Sequence, residues 1–146
     1  MQGRKPEASC VFCDIIAGRT PASVVHRDER CMAFMDIRPV TPGHLLVVPL
    51  AHAESLADLD AATGAHLFVV AQKVAGAIRK SGLKADGINL YLADGEAAGQ
   101  EVLHVHLHVF PRFAGDGFGL RLPREYGEPV APERLEREAA AIATWL

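Results

Sequence analysis

The feature that most restricts this chain is a stretch in which histidine alternates with apolar residues, His104-Val105-His106-Leu107-His108. A period of two is typical of a β-strand, whose successive side chains point to opposite faces of the sheet. Successive imidazoles would then lie on one face, roughly 7 Å apart, with the apolar side chains directed into a core. A helix would turn the middle imidazole away from the other two. The pattern therefore predicts a strand that carries a row of imidazoles.

Such a row suits chemistry, because a neutral imidazole is both a nucleophile and a metal ligand. Three of them can divide the work of attacking an electrophile, donating hydrogen bonds to an anion, and fixing the geometry or binding a metal. The alternative is that they are unrelated core or surface histidines. Three of the seven histidines in the chain fall on this one strand, and that clustering favours a functional site.

Length, composition and charge restrict the class of protein. The chain has 146 residues, of which 49% are hydrophobic and 23% are charged, as in one ordinary globular domain. Its net charge of -3 argues against a general binder of nucleic acid, although a small anionic ligand needs only a local positive potential. No apolar run approaches the roughly 20 residues of a membrane span, and we see no signal peptide, so we expect a cytoplasmic protein.

Turn and capping signals divide the chain into short elements and one long helix. We predict helices over 10–17, 61–80 and from 132 to about 145, and strands over 24–27, 31–36, 44–48, 88–93 and 103–112. Asp60 is a suitable N-cap for the long helix, and Gly82 is a suitable stop. Short links favour antiparallel pairing, with the helix covering one face. The expected fold is α+β, with an antiparallel sheet of about five strands, one long helix and short terminal helices.

The pair Cys10-x-x-Cys13 has the spacing of metal ligands. Three cysteines are too few for a secreted disulfide scaffold, and a thioredoxin-like redox pair would need a βαβ context that we do not find. Two explanations stay open from the residues alone, a metal site and a pair of buried thiols. The third cysteine, Cys31, is predicted to lie in the core.

These features together resemble the histidine-triad (HIT) family, whose signature is His-φ-His-φ-His-φ-φ with φ apolar. Residues 104–110 fit it at every position. The resemblance covers about residues 10–113 and includes three further blocks, Ala98-Gly99-Gln100, Asp36-Ile37 with Pro42-Gly43-His44, and Cys10-Val-Phe-Cys13. It implies a single HIT domain over 1–146, with a flexible segment 1–9, a core over 10–113 and a loop with a C-terminal helix over 114–146. It also implies a homodimer.

The resemblance implies a nucleotide hydrolase that cleaves at the α-phosphorus of purine nucleotidyl phosphoanhydrides or phosphoramidates through a covalent nucleotidyl-histidine. His106 is the nucleophile by this correspondence, and His108, His44 and Gln100 act on the phosphate and the leaving group. No organic cofactor, polymeric nucleic acid or membrane is expected. Two alternatives are a non-catalytic nucleotide sensor or partner-binding module, and a nucleotidyltransferase, which is usually a longer chain.

The same correspondence assigns the nucleotide-binding residues. Asp36 would accept both ribose hydroxyls, although it is also a common turn former. The walls of the base pocket would be Phe12, Ile15, Ile37 and Leu46, although each of them taken alone is better explained as plain core.

The resemblance also assigns a metal site. It pairs the two cysteines with two histidines in a closed structural zinc site, Cys10, Cys13, His52 and His104. Such a site would fix His104, two residues from the expected nucleophile.

Two positions depart from a common family pattern. Ala93 stands where many members have an asparagine that contacts phosphate or ribose. Glu101 stands where phosphoramidase-type members have serine or threonine near the leaving group. The stretch from Arg112 to Asp116 looks more like members that split dinucleoside polyphosphates. The sequence therefore leaves the leaving group open.

Overall fold

The structure, a computed structural model, describes residues 10–146, so the predicted flexible segment 1–9 lies outside the described residues. The chain divides between Asp116 and Gly117 into two units. The described part of the larger unit contains two α-helices, five strands and a short 3-10 helix (Glu96–Ala98): α1 (Val11–Ile16), β1 (Val24–Arg27), β2 (Cys31–Met35), β3 (Leu45–Pro49), α2 (Ala61–Lys80), β4 (Gly87–Tyr91) and β5 (Leu107–Arg112). The smaller unit contains α3 (Pro132–Ala143), which begins at a proline as predicted.

The five strands form one antiparallel sheet in the order β1-β2-β3-β5-β4. Short links join β1, β2 and β3, and β5 then pairs with both β3 and β4. The register places Leu45 and Leu90 beside Val109, and Leu46 beside His108. Cross-strand partners share a face, so this register decides which side chains lie together. The predicted α+β fold is confirmed.

Helix α2 covers one face of the sheet. Its buried stripe packs against the inward side chains of β2, β3 and β5: Leu67, Val70, Ala71, Val74 and Ile78. Asp60 caps its first turn by accepting a hydrogen bond from the Thr63 amide at 2.9 Å. Of the helices in residues 10–146, α2 is long and apolar enough to cross a membrane. The core helix of a globular domain meets the same criterion, and the apolar stripe of α2 is buried against the sheet.

The opposite face of the sheet packs against α1. The short helix inserts Phe12 among side chains that alternate with those facing α2, namely Met32, Phe34, Leu46 and Val48. Because side chains along a strand alternate, Cys31 and Ala33 lie on the α2 side of the same strand. Cys31 is fully buried, as predicted. The α1 face is also the face that carries the histidines.

The predicted start of β5 at residue 103 is wrong, since the strand begins at Leu107. The Val105 amide donates to the carbonyl of Ala53 at 2.8 Å, and the His104 amide donates to Val102 within its own turn at 2.9 Å. These amides therefore bond outside the sheet, although side-chain alternation persists and Val105 still enters the core. The first two histidines of the row thus precede the hydrogen-bonded ladder.

A second group of histidines joins the β1–β2 turn to α2. One oxygen of Asp28 lies 2.8 Å from His26 Nε2 and 2.7 Å from His66 Nε2. The other oxygen accepts from the amides of Arg30 and Cys31, each at 2.9 Å. We call His26, Asp28 and His66 the Asp28 clamp, because it connects elements 38 residues apart.

Candidate active site

Three imidazoles meet on the α1 face. The ring centroids of His106 and His108 are 4.9 Å apart, and His44 lies 5.1 Å from His108. His44 and His106 are buried, at 2% and 6% exposure. The structure therefore brings together the three histidines that were predicted to act on phosphate.

Hydrogen bonds select the tautomers of His44 and His108. The Val40 amide donates to Nδ1 of His44 at 3.0 Å, so the proton of that neutral ring lies on Nε2. This Nε2 lies 2.9 Å from Nδ1 of His108 and 3.6 Å from a carboxylate oxygen of Asp36. Donation from His44 leaves the proton of a neutral His108 on Nε2. That nitrogen is then a hydrogen-bond donor for an anion.

Burial keeps both of these rings neutral. Burial, together with the neighbouring imidazoles of His106 and His44, lowers the pKa of His108 to about 4, although the carboxylate of Asp36 acts in the opposite direction. Burial also lowers the pKa of His44, although the carboxylate of Asp36 acts in the opposite direction. At neutral pH the pair can therefore keep the alternating pattern of donor and acceptor nitrogens.

His106 has the tautomer that a nucleophile requires. Its Nδ1 donates to the carbonyl of His104 at 2.7 Å, which leaves a lone pair on Nε2. The proton is held by the backbone, so the reactive nitrogen needs no separate base to expose its lone pair. A nucleophilic nitrogen thus lies beside a ring that can donate to an anion.

The predicted metal ligands converge next to this site. Nδ1 of His104 lies 3.4 and 3.6 Å from the sulfurs of Cys10 and Cys13, and His52 Nδ1 lies 3.3 Å from Cys13 Sγ. The two Nδ1 atoms are 3.2 Å apart. Standard bond lengths put the edges of a tetrahedral zinc site at about 3.3 Å for N···N and about 3.6 Å for N···S. The four residues therefore have the spacing of a Cys2His2 site.

The protonation pattern also fits a metal. His104 Nε2 donates to the carbonyl of Pro49 at 2.9 Å, so Nδ1 of the neutral ring has its lone pair directed at the other ligands. Burial lowers the pKa of His104 to about 4, and this keeps the ring neutral as a ligand must be. All four ligand atoms lie within 4.8 Å of one another. The donor set matches the soft and borderline ligands that zinc takes.

The predicted nucleotide-binding residues are in different environments. Asp36 is partly exposed, and its Oδ1 accepts from the Arg38 amide at 2.8 Å. Ile37 is 91% exposed, whereas Phe12 is buried against the rings of His104 and His106, and Leu46 is buried beside His108 in the sheet. Ile15 is partly buried and lines a cavity of about 440 Å³ between α1 and the β1–β2 hairpin. Ile15 and Ile37 therefore offer apolar surface to a ligand, and their binding roles stay predictions.

The side chain of Gln100 bonds to backbone groups of its own loop and of the loop that follows β3. Its amide nitrogen donates to the carbonyls of Glu54 and Val102 at 2.8 and 3.0 Å, and its oxygen accepts from the Gly95 amide at 2.8 Å. Both of its donor hydrogens are therefore directed to the backbone. In this structure Gln100 braces the segment between β4 and β5, and its predicted action on the phosphate would need those bonds to change.

Comparisons with known proteins agree with this geometry. The HIT domain family matches residues 17–115. The chain belongs to the HIT family. A protein named "Protein hit" from Bacillus subtilis is 39% identical over 136 residues, which cover 92% of each chain. The crystal structure of a Zn-bound histidine triad family protein from Mycobacterium smegmatis is 44% identical, with a TM-score of 0.74 and coverage of 94% and 96% of the two chains. Adenylylsulfatase HINT3 from Arabidopsis thaliana is 34% identical over 70% of this chain and 52% of that protein.

The two departures within this HIT domain lie at different depths. Ala93 is buried, at 5% exposure. The carboxylate of Glu101 is exposed and lies 3.8 Å from the guanidinium of Arg38, which follows Asp36 by two residues. An exposed pair at this distance contributes little to stability. The carboxylate of Glu101 therefore adds negative charge at the edge of the HIT site, where it would disfavour a ligand that carries extra negative charge.

One residue of this HIT site was missed by sequence reasoning. Tyr91 is the cross-strand partner of His108, and their ring centroids are 5.7 Å apart. Its hydroxyl donates to the carbonyl of Ala98 at 3.1 Å. The strand pattern predicted both β4 and β5, but only the register shows that these two side chains meet.

Proposed function

We propose that this protein hydrolyses purine nucleotides at the α-phosphorus through a covalent nucleotidyl-histidine on His106. The observation that carries the proposal is the pairing of complementary tautomers. The lone pair of His106 Nε2 lies beside the His108 ring, whose Nε2 carries a proton. A HIT relative named as an adenylylsulfatase supports this class of chemistry.

In the first step, Nε2 of His106 attacks the α-phosphorus and a P–N bond forms. The bond from phosphorus to the leaving group breaks, and the leaving group departs with the bonding electron pair. Charge develops on the phosphoryl oxygens, where the Nε2–H of His108 supplies a fixed hydrogen-bond donor. The leaving group takes its proton from water, because a neutral His108 that lost its Nε2 proton would become an imidazolate anion.

In the second step, water attacks the same phosphorus and the bond to His106 breaks. The products are a nucleoside monophosphate and a free enzyme with its original tautomers. Throughout, the carbonyl of His104 keeps the Nδ1 proton of the nucleophile in place. The Nε2 electron pair therefore returns to the same position after each turnover.

We also propose that the Cys2His2 cluster holds zinc. Its ligands would be Cys10, Cys13, His52 and His104, and four protein ligands make the ion structural rather than catalytic. The double variant Cys10→Ser, Cys13→Ser should lose bound zinc, measured by elemental analysis of purified protein, because it removes both thiolates. The matched control Cys31→Ser should keep it. An unchanged zinc content in the double variant would refute this site.

A homodimer is the third part of the proposal. Strand β4 lies at an edge of the sheet, and its Leu90 and Tyr91 are 40% and 45% exposed. An edge strand offers unpaired backbone groups to a second copy of the chain. Light scattering of the full chain tests this state directly, and a monomer at all concentrations would contradict it.

The reaction is tested by trapping the intermediate. The protein is incubated briefly with an adenosine phosphoramidate or a diadenosine polyphosphate, quenched and weighed. We expect a nucleotidyl adduct on the wild type and on His26→Asn, and none on His106→Asn. Comparing the two substrates identifies the preferred leaving group. Tight nucleotide binding with neither adduct nor product would instead support a nucleotide sensor, a reading that the engaged amide of Gln100 favours.

A further inference from the structure

The nucleophile lies outside the part of the chain that the sheet holds. The last pair between β3 and β5 joins Val47 to Leu107, so His106 precedes the ladder. A reactive ring needs a fixed position, because an error of about 1 Å in placement can cost on the order of 100-fold in rate. Something other than the strand pairing must therefore hold this ring.

Phe12 contacts the rings on which that position depends. Its centroid lies 5.2 Å from that of His106 and 5.8 Å from that of His104, with interplanar angles of 74° and 80°. These are edge-to-face contacts, which are directional and contribute beyond simple burial. The phenyl ring also contacts the ring of Phe34, with centroids 5.6 Å apart, and is only 7% exposed.

Phe12 is also held at its backbone by the Cys2His2 cluster. It lies between Cys10, which caps α1, and Cys13, whose amide donates to the Cys10 sulfur at 3.4 Å. The sulfurs of both cysteines approach His104. The first turn of α1 therefore carries both the phenyl ring and two of the four cluster ligands.

We propose that Phe12 is a positioning residue that couples the Cys2His2 cluster to the nucleophile His106. The cluster acts on His106 by two connections. One is the hydrogen bond from His106 Nδ1 to the carbonyl of His104, and the other is the phenyl ring. This role differs from that of a base-pocket wall, because it concerns the rate of reaction and not the binding of the nucleoside. Its kinetic consequences rest on the proposed function.

The first test separates positioning from binding. Phe12→Leu and the control Phe34→Leu both remove a buried ring, but of these two rings only that of Phe12 lies against imidazoles. With an adenosine phosphoramidate, we expect Phe12→Leu to lower kcat about tenfold or more with little change in KM. Phe34→Leu should change kcat about twofold or less. Equal effects of the two variants on kcat, or an effect of Phe12→Leu on KM alone, would overturn the proposal.

The second test does not depend on turnover. In full-length protein loaded with zinc, 15N-labelled imidazoles report the tautomer of His106 and its Nδ1–H signal. We expect this signal to shift or broaden in Phe12→Leu while zinc content stays that of the wild type, and to be retained in Phe34→Leu. An unchanged His106 signal in Phe12→Leu would refute the coupling. Phe12→Met, which keeps an apolar side chain of similar length, provides the same comparison if Phe12→Leu does not fold.

The two tests also separate this proposal from the proposed function. If the wild type forms no nucleotidyl adduct, the proposed function fails, yet the imidazole spectra still decide whether Phe12 positions His106. If the adduct forms and the spectra of Phe12→Leu match those of the wild type, the function stands and the coupling fails.

Discussion

Two groups of histidines in this chain have different hydrogen-bond partners. On the α1 face, His44 bonds to His108, and the nearest carboxylate oxygen, from Asp36, is 3.6 Å from the His44 nitrogen. In the Asp28 clamp, both imidazoles lie within 2.8 Å of a single carboxylate oxygen. The first group is bonded ring to ring, whereas the second is bonded ring to anion.

The difference shows how surroundings decide what a histidine does. Burial with no anion at hydrogen-bond distance lowers the pKa of His108 and leaves a neutral ring with a usable donor. In the clamp, burial alone would raise the pKa of Asp28, but hydrogen bonds from His26, His66 and two amides outweigh it and lower that pKa. A carboxylate that attracts both rings fixes them as donors. We therefore assign the clamp a structural role and place the proposed reaction on the α1 face.

Replacing one histidine of each group should separate an effect on the rate of reaction from an effect on stability. His108→Gln should lower kcat by about 10²–10³, as removal of one donor to a developing oxyanion does. His66→Gln should leave kcat near that of the wild type and lower the free energy of unfolding instead. Steady-state kinetics and urea unfolding of both variants measure the two effects. A large loss of kcat in His66→Gln would break the distinction between the groups.

Removing the anion should release the clamp. Asp28→Asn keeps the shape of the side chain but weakens its bonds to two imidazoles and two amides, so we expect a loss of about 1–3 kcal/mol in the free energy of unfolding. Urea unfolding at neutral pH measures it. Asp58→Asn, at an exposed turn where the carboxylate accepts from Ser55, is the matched control and should cost less. Equal losses of unfolding free energy in the two variants would show that the clamp stabilises the fold no more than an exposed turn does.

The pH dependence of stability should sharpen the comparison further. The folded-state pKa of His108 is about 4, below its ordinary value of 6.5, so the unfolded chain binds more protons between these values. The contribution of His108 is therefore fully present above about pH 6.5 and is lost as the pH falls toward about 4. His108→Gln should flatten this part of the profile, measured by urea unfolding at a series of pH values. A stability profile whose slope between pH 4 and pH 6.5 is unchanged in His108→Gln would contradict a neutral His108 in the folded state.

Asp28 should act in a lower window. Its folded-state pKa lies below the ordinary 3.8, so its contribution is present above that value and is lost as the pH falls through the folded-state pKa. The difference in stability between wild type and Asp28→Asn should therefore stay nearly constant from neutral pH to about pH 5 and shrink below that. A difference that already disappears by pH 6 would assign the stabilisation to another group.

Local signals in the sequence predicted most of the fold. The bounds of α2 follow from Asp60 and its apolar stripe, and those of β1 follow from turn residues on either side. The alternation of His104, His106 and His108 predicted which residues share the site. These features depend on neighbours within a few residues, where side-chain period and capping chemistry decide the outcome.

What the sequence could not predict depends on distant backbone partners. The early start assigned to β5 failed because Ala53, far away in the chain, accepts the amide of Val105. The amide of Gln100 is taken by Glu54 across 46 positions, and Asp28 meets His66 across 38. No local pattern encodes such pairs, because their members lie far apart in the sequence and meet only in the folded chain.

The late start of β5 separates the reactive ring from the ladder of the sheet. The amides of His104 and Val105 bond outside the sheet, so no rung between β3 and β5 depends on their backbone. The side chains of this short segment are instead held by the Cys2His2 cluster and by the core. Loss of a cluster ligand should therefore disturb the reactive ring before it disturbs the pairing of the strands.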